Sequence, residues 1–506
     1  MICHPCYIAL LGATFLFINY LYRTIQRRLT HRRFNRQYGC QPAPSLPSKP
    51  PFWSLGVIVR NIQAAKRHKS LETIHKLFQL GNTLTGQRLG QPVLVTCEPQ
   101  NIQTILSLKF QDYKVGDRVN SQGPLLAHGI FTSDGDSWAQ SRALIRPTFV
   151  RERVADLALF EEIMADLFAL LPVDGRTVDL QPLFFSYTLD SITHFAFGHS
   201  VHNLRKSQAR GNDADHEVAE AFNYSMQALA LRSKLGLLRV FHRDRKATRS
   251  YKICHQFVEG LVHHAVMVPE KVGDNRDSPQ RKGQYLVLHE LVRQTKDRIR
   301  VRDELINVLI AGRDTTAGLL SNLFFVLAKR PDVWAKLRAE VETTLGGRLP
   351  TYDDLRNMKY LRHCLNESLR LHPAVPTNSR VATNDTYLPI GGGLDGQSPV
   401  FVPKGALVVY SVYAMHRRED IYGSDADDFR PERWETIRPS WGYLPFNGGP
   451  RICLGQQYAL TEASYVTVRL AQRYKTLVSR DPGPWEEHVT LTLRSRNGTQ
   501  VSLGSA

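Results

Sequence analysis

Ten residues, Phe446-Asn447-Gly448-Gly449-Pro450-Arg451-Ile452-Cys453-Leu454-Gly455, have the form F-x-x-G-x-R-x-C-x-G. With ordinary residue frequencies, those five fixed positions meet by chance on the order of once in 10⁴ chains. Their chemistry is coherent. Cys453 can give a thiolate to a haem iron, and a thiolate pushes electron density into the metal and favours O–O cleavage. Arg451 can pair with a haem propionate. Gly449 and Gly455 let backbone approach a large planar ligand and turn into a helix. Phe446 packs by the sulphur and limits its exposure. A glycine loop around a buried free cysteine is the competing reading, and the haem site accounts for more of the pattern.

With this motif the chain resembles the cytochrome P450 family. The resemblance runs from an N-terminal apolar segment, through a proline-rich hinge, to a C-terminal hairpin. The family's E-x-x-R stands as Glu367-Ser368-Leu369-Arg370, and the i, i+3 spacing puts both on one helix face. The resemblance implies a buried structural pair completed by Arg433 of Pro431-Glu432-Arg433-Trp434. A buried carboxylate with two guanidinium groups needs both.

The distal-helix motif stands as Ala311-Gly312-Arg313-Asp314-Thr315-Thr316. Asp and Thr are poor helix formers, and threonine bonding its own backbone at a bend is the plain alternative. The resemblance implies that Gly312 makes room beside the haem, Thr315 holds a water where oxygen binds, and Asp314 helps relay protons. P450s that rearrange peroxides without O₂ commonly lack this threonine, so Thr315 implies O₂ activation. Trp138-Ala-Gln-Ser-Arg142 matches W-x-x-x-R, with both residues expected on a haem propionate. Arg380, seven residues after Pro373, falls where many P450s place another propionate ligand. The implied cofactor is haem b with a cysteine thiolate ligand. Its electrons are expected from NADPH through a separate NADPH–cytochrome P450 reductase, since little chain follows Cys453.

These residues need helices to carry them. The patterning predicts one long apolar helix over Asp303–Ala328, a second over Pro331–Leu345 and a third over Asp353–Leu371, stopped by His372-Pro373. Strands are predicted at Val93–Thr96, Ala406–Val412 and Val489–Leu493, the last leading to a turn at Asn497-Gly498. Residues 201–216 and 269–283 are expected as surface loops. Gly391-Gly392-Gly393 opens no helix and is expected as a turn, not a phosphate cradle. The predicted fold class is mainly α with small β-sheets, a cytochrome P450 fold with one large catalytic domain behind an N-terminal transmembrane helix. The expected boundaries are 1–22 for the membrane anchor, 23–51 for a basic, proline-rich linker and 52–506 for the catalytic domain.

The anchor follows from where the charge lies. The 506 residues carry 65 Lys+Arg against 47 Asp+Glu, a net charge of +18. No acidic residue precedes Glu72, and residues 1–71 hold eleven of the basic ones. Just ahead of Arg23 runs the uncharged apolar stretch Tyr7–Tyr22. Sixteen helical residues rise about 24 Å, against about 27 Å for the hydrocarbon of the endoplasmic reticulum membrane. Counting part of residues 1–6 completes a single pass, and the positive-inside rule puts Arg23–Arg36 and the catalytic domain in the cytosol. The basic collar would lie on anionic lipid head groups. No basic stripe with interleaved aromatics remains elsewhere, so nucleic acid is not an expected partner. Seven scattered cysteines suit a chain without a disulfide framework. The isolated Cys3-His-Pro-Cys6 lies ahead of the anchor, and without a second C-x-x-C or an H-E-x-x-H a zinc enzyme is disfavoured.

The segments AGRDTTAGLL, LRLHPAVPTNSRVAT, LPIGGGLDG and YAMHRREDIYGSDADDFRPERW resemble the fungal alkane- and fatty-acid-hydroxylating P450s. Relatives in filamentous fungi tailor polyketides, terpenoids and other secondary metabolites. The expected function is a membrane-anchored haem-thiolate monooxygenase that hydroxylates an apolar substrate, a long alkyl chain first and a secondary metabolite as the alternative. A non-catalytic membrane haem-binding protein is the alternative of another class, and Asp314 and Thr315 speak against it. Candidate pocket residues are Leu125, Ile130, Phe131, Val308, Ala311, Val375, Pro376 and Leu493, with Asn378 nearby. Several of these are expected to be plain core.

Overall fold

The computed structural model describes residues 4–47, 55–88, 90–149, 151–172, 174–198, 200–208, 213–267 and 287–505. The expected loop at 269–283, and Ser48–Pro51 of the proline-rich segment, lie outside the described residues. The chain divides into two compact units. One comprises Met1–Gly56, Lys76–Lys114 and Ser379–Tyr410, the other Val57–His75, Val115–Asn378 and Ser411–Ala506.

The first unit is built on small sheets. Helix α1 (His4–Tyr38) carries the apolar run and the arginines on one continuous rod. The strands are β1 (Thr83–Arg88), β2 (Gln91–Thr96), β3 (Tyr113–Lys114), β4 (Thr377–Ala382), β5 (Thr386–Gly392), β6 (Ser398–Val402) and β7 (Leu407–Ser411). They form a five-stranded sheet ordered β1-β2-β7-β4-β3 and a β5-β6 hairpin. The predicted strands at 93–96 and 406–412 are β2 and β7, paired in parallel. The prolines after α1 do not hang as a free connector. Gln41 N–H donates to Pro399 O (2.8 Å), Gly393 N–H to Pro42 O (3.1 Å), and Thr85 N–H to Pro44 O (2.9 Å). The end of α1 docks as well: Tyr38 stacks on Tyr387 at 4.7 Å and Phe34 meets Phe401 at 4.9 Å. The glycine run ends β5, and Gly391 has φ +115°, so its backbone needs glycine.

The second unit is helical. Its main helices are α2 (Arg118–Leu126), α3 (Gly135–Ile145), α4 (Leu180–Phe197), α5 (Asp213–Leu235), α6 (Arg245–Met267), α7 (Arg298–Leu327), α8 (Pro331–Leu345), α9 (Lys359–Leu371) and α10 (Gln456–Arg473). A single core is drawn from all of them. Helix α8 has the predicted ends because both stop signals are local: Pro331 opens it and Gly346 closes it at φ +52°. Helix α7 starts five residues earlier than predicted, where the Asp297 side chain accepts from Ile299 N–H (3.0 Å) and Arg300 N–H (3.2 Å).

Three expectations need correcting. The helix predicted over 353–371 is two, Tyr352–Asn357 and α9, broken at Met358 (φ −66°, ψ 103°). The first piece is capped by a Thr351–Asp354 box, and Glu340 accepts the N–H groups of Tyr360 and Leu361 at 2.8 Å, opening α9 afresh. The strand predicted over 489–493 is a hairpin of β8 (Glu487–Val489) and β9 (Leu493–Ser495), with its turn inside the predicted strand. Leu493 N–H is drawn instead to Ala374 O (3.0 Å). The segment 201–216, expected as a loop, holds the helix Asn203–Gln208 and the start of α5.

Candidate functional site

Cys453 lies three residues before α10, in a loop whose shape is set by two left-handed residues. Asn447 has φ +62° and Gly449 φ +67°. Cys453 N–H donates to Phe446 O (3.0 Å), and Ile452 N–H to Gly449 O (3.0 Å). Gly455 has φ −85°, which any residue adopts, and its place is set by packing against Phe149. The Cys453 residue carries accessible surface, although protein surrounds the sulphur closely enough for burial to push the thiol up. The Gly455 N–H and the charge of Arg142 pull it back down. Cys40, Cys97, Cys254 and Cys364 are buried and none is in a disulfide.

Helix α3 brings Trp138 and Arg142 to this loop. Arg142 Nη1 donates to Ile452 O (3.0 Å), one residue before the cysteine. The Trp138 ring has Arg451 4.4 Å from its centroid and Arg142 5.9 Å away. Arg451 also binds Asp134 Oδ1 and Ser133 O, each at 2.8 Å. Sequence reading missed Asp134, because its partner lies 317 residues away. It also accepts Val115 N–H at 2.9 Å, so one carboxylate ties two chain segments to the cysteine loop.

On α7, every residue from Asp303 to Phe325 is buried except Ala311, Gly312 and Thr315. Those three carry surface on one stripe of the helix. Thr315 Oγ1 donates to Ala311 O (2.6 Å), and Asp314 is paired with the buried Arg313 at 2.6 Å. Arg313 also reaches Asn223 Oδ1 (3.1 Å) on α5. A Cβ at Gly312 would lie 2.5 Å from Ile192, so the glycine lets α7 close on α4. Thr188 of α4 crosses the same contact, donating to Arg313 O (2.9 Å).

The structure brings Glu367, Arg370 and Arg433 together, all buried. Arg370 grips Glu367 with two bonds, Nε to Oε2 (2.9 Å) and Nη2 to Oε1 (2.8 Å). Arg433 Nε donates to Oε1 (3.1 Å), Trp434 Nε1 to Oε2 (3.0 Å) and Arg430 N–H to Oε1 (3.0 Å). Asp425 supplies the second negative charge, 2.8 Å from Arg433.

Three further groups join this hub to the cysteine loop. His416 Nε2 accepts Leu444 N–H (2.9 Å), which leaves Nδ1 to donate to Arg370 O (3.1 Å). Two backbone groups thereby fix a neutral tautomer, and burial pushes the imidazole down to about 3. Tyr422 OH donates to Gly442 O (2.8 Å), and Tyr443 OH to Asn366 O (3.1 Å). No motif marks His416, since its two partners are 46 and 28 residues away.

The comparisons with known proteins decide the family. The Cytochrome P450 family pattern matches residues 46–501. The chain is 49% identical to Cytochrome P450 monooxygenase himC of Aspergillus japonicus, over 99% of this chain and 90% of that protein. It is 45% identical to Cytochrome P450 monooxygenase FPY7 of Fusarium mangiferae, over 96% and 94%. It is 46% identical to Cytochrome P450 52A5 of Candida maltosa, over 81% and 80%.

The chain belongs to the cytochrome P450 family. It is a P450 monooxygenase that uses cysteine-ligated haem and reductase-supplied electrons from NADPH. The residues present fit such a group: a thiol with accessible surface, guanidinium groups beside it, and an otherwise buried helix with one small exposed face. Of the pocket candidates in this P450, Ile130, Phe131, Ala311 and Val375 carry surface, while Leu125, Val308, Pro376 and Leu493 are core. Arg380 belongs to the first unit, where it is buried on β4, bonded to Ser379 O (2.8 Å) and 5.9 Å from the Tyr410 ring centroid.

Among the described residues no helix is long and apolar enough to cross a membrane.

Proposed function

We propose that this P450 hydroxylates a long alkyl chain of the fatty acid or alkane type. The observation that carries this is the exposed face of α7 with its neighbours. Ala311 and Gly312 on α7, Ile130 and Phe131 on the segment bonded to it, and Val375 are apolar residues with accessible surface, and Thr315 and Asn378 are polar ones. We assign Cys453 as the residue whose thiolate would hold the haem iron, with Phe446, Gly449 and Gly455 shaping its loop. Trp138, Arg142 and Arg451 would hold the propionates. Glu367, Arg370 and Arg433 hold the loop's support.

When bound, the haem activates O₂ for insertion of one oxygen atom into a C–H bond. Around it, the chain handles protons and water. The Thr315 hydroxyl can accept from a water while donating to Ala311 O, and so orders that water at one point of an apolar face. Asp314 is engaged by Arg313 at 2.6 Å, so its carboxylate can reach a water only when that pair loosens. The apolar residues exclude other waters.

The first test is a CO difference spectrum of the reduced protein. The red-shifted Soret band of thiolate-ligated haem is expected in the parent and lost in Cys453→Ala. A band retained in that variant would remove Cys453 from the metal. The second test is a spin-shift series comparing lauric acid and dodecane with cyclic natural products. Shifts confined to the cyclic compounds would replace the alkyl reading with tailoring of a secondary metabolite.

The same reading places residues 1–22 as a single-pass anchor in the endoplasmic reticulum membrane, 23–51 as a basic linker on the lipid, and 52–506 as the cytosolic catalytic domain served by a separate NADPH–cytochrome P450 reductase. Two exposed apolar surfaces support it. Leu11, Phe15, Phe17, Ile18, Leu21 and Tyr22 are exposed on α1, ahead of exposed Arg28, Arg32, Arg33 and Arg36. Leu237, Val240 and Phe241 are 65%, 70% and 83% exposed between α5 and α6. Carbonate extraction should leave the full chain in the membrane fraction and release a form lacking 2–22. Equal release of both would overturn the anchor.

A further inference from the structure

The segment Ala127–Asp134 lies against α7 and is held there almost entirely by its backbone. Three side chains of α7, at positions 303, 304 and 307 on its N-terminal half, accept three backbone N–H groups. Asp303 Oδ2 takes His128 N–H (3.4 Å), Glu304 Oε2 takes Ile130 N–H (3.1 Å) and Asn307 Oδ1 takes Phe131 N–H (3.3 Å). Asn307 also donates through Nδ2 to Leu126 O (2.9 Å) and to Asp303 O (2.7 Å), so its amide is satisfied on both atoms. All three acceptors are buried. Gly129 passes so close that a Cβ there would be driven into the Asn307 amide. The segment is stiffened from within as well: Thr132 Oγ1 donates to Ala127 O (2.7 Å) and Ser133 Oγ to Gly129 O (2.9 Å).

Asn307, Ala311 and Thr315 are spaced i, i+4, i+8, along one stripe of α7. Asn307 therefore stands about 12 Å up the helix from Thr315, on the stripe that carries accessible surface. What it fixes is Phe131, a residue 38% exposed whose backbone is pinned. At its other end the segment is tied to the cysteine loop, through Ser133 O and Asp134 to Arg451.

We propose that Asn307 is a positioning residue for substrate selection: by locking the Phe131 backbone it holds the aromatic ring as a fixed wall at the end of the Ala311–Thr315 face. Glu304 is its second anchor. The proposal rests on reading that face as the oxygen-binding side of the haem. Neither residue touches the reacting atoms, and a fixed wall selects by width.

The test uses the full-length, haem-loaded protein and two nitrogen ligands, imidazole and 4-phenylimidazole, titrated by the red shift of the Soret band. The variants are Asn307→Leu, Gly129→Ala, Phe131→Ala and the Asn307→Leu/Phe131→Ala double. Imidazole is small enough to ignore the wall, so its Kd should stay within about twofold. The Kd of 4-phenylimidazole relative to imidazole should fall about fivefold or more in each single variant. The double variant should go no further than Phe131→Ala alone, since both act through one ring. Amide hydrogen exchange over 127–133 should quicken in Asn307→Leu and Gly129→Ala, a readout that needs no ligand. A ligand ratio unchanged in folded Asn307→Leu and Gly129→Ala, or additive effects in the double variant, would overturn the proposal. If Phe131→Ala leaves both Kd values unchanged, the reading of that face as the oxygen-binding side falls and takes this proposal with it.

Discussion

Two neighbours act on the Cys453 sulphur in the same direction. Burial pushes the thiol up, while the Gly455 N–H and the Arg142 charge favour the thiolate. Removing one cation should raise the thiol and make it protonate sooner as pH falls. In Arg142→Ala the red-shifted CO band should therefore convert to the shorter-wavelength form at a higher pH than in the parent. An unchanged midpoint would mean that Arg142 serves only the Ile452 carbonyl. Thr315 bears on a different step. Its hydroxyl is the polar point on an apolar face, so Thr315→Ala should consume NADPH while product per NADPH falls about tenfold or more. Thr315→Ser, which keeps the hydroxyl, should restore coupling. Normal coupling in the alanine variant would remove this hydroxyl from proton handling.

At the scale of elements, α9 and the segment 411–434 form the support on which the cysteine loop is built. Glu367 takes five bonds, two of them from Arg370. Glu367→Gln keeps the shape and removes the charge, leaving Arg370 and Arg433 against the single carboxylate of Asp425. Breaking a buried pair in this way costs about 3–5 kcal/mol. Glu367→Gln should therefore give little haem-loaded protein, measured as absorbance per milligram after expression with a haem precursor. Parent-like loading and thermal stability would show that Asp425 and the backbone carbonyls suffice. The reach of this hub is visible in His416, whose two ring nitrogens join Arg370 of α9 to Leu444, two residues before Phe446.

At the scale of the molecule, two buried groups limit stability from opposite sides. Burial raises Glu462 on α10 to about 8, with the Ser191 and Thr316 hydroxyls offsetting part of the shift. Between pH 4.5 and 8 the folded state keeps a proton that the unfolded state has lost, so stability falls as pH rises through that range. His416 has the reverse effect. Its folded value of about 3 lies below the ordinary 6.5, so stability falls as pH drops from 6.5 towards 3. Glu462→Gln should match the parent near pH 4.5 and exceed it by about 4 kcal/mol near pH 8, in urea melts across that range. A constant difference at every pH would show that Glu462 does not titrate there.

What could be read directly from the chain was whatever is decided within a few residues. The F-x-x-G-x-R-x-C-x-G decapeptide, the Glu367–Arg370 pair on one helix face, and helix α8 between Pro331 and Gly346 depend on local spacing and local stop signals. So does the mainly helical fold class, which follows from the 3.6-residue pattern of apolar positions. Long-range partners were decided only by packing. Arg451 meets Asp134, Asn307 holds Phe131, and Gly312 faces Ile192 because folded helices bring distant residues within bonding reach. The break at Met358 and the turn inside 489–493 have the same origin. Glu340 and Ala374 offer the backbone better hydrogen bonds than the continuous helix or strand would, and those partners come within reach only once the chain has folded.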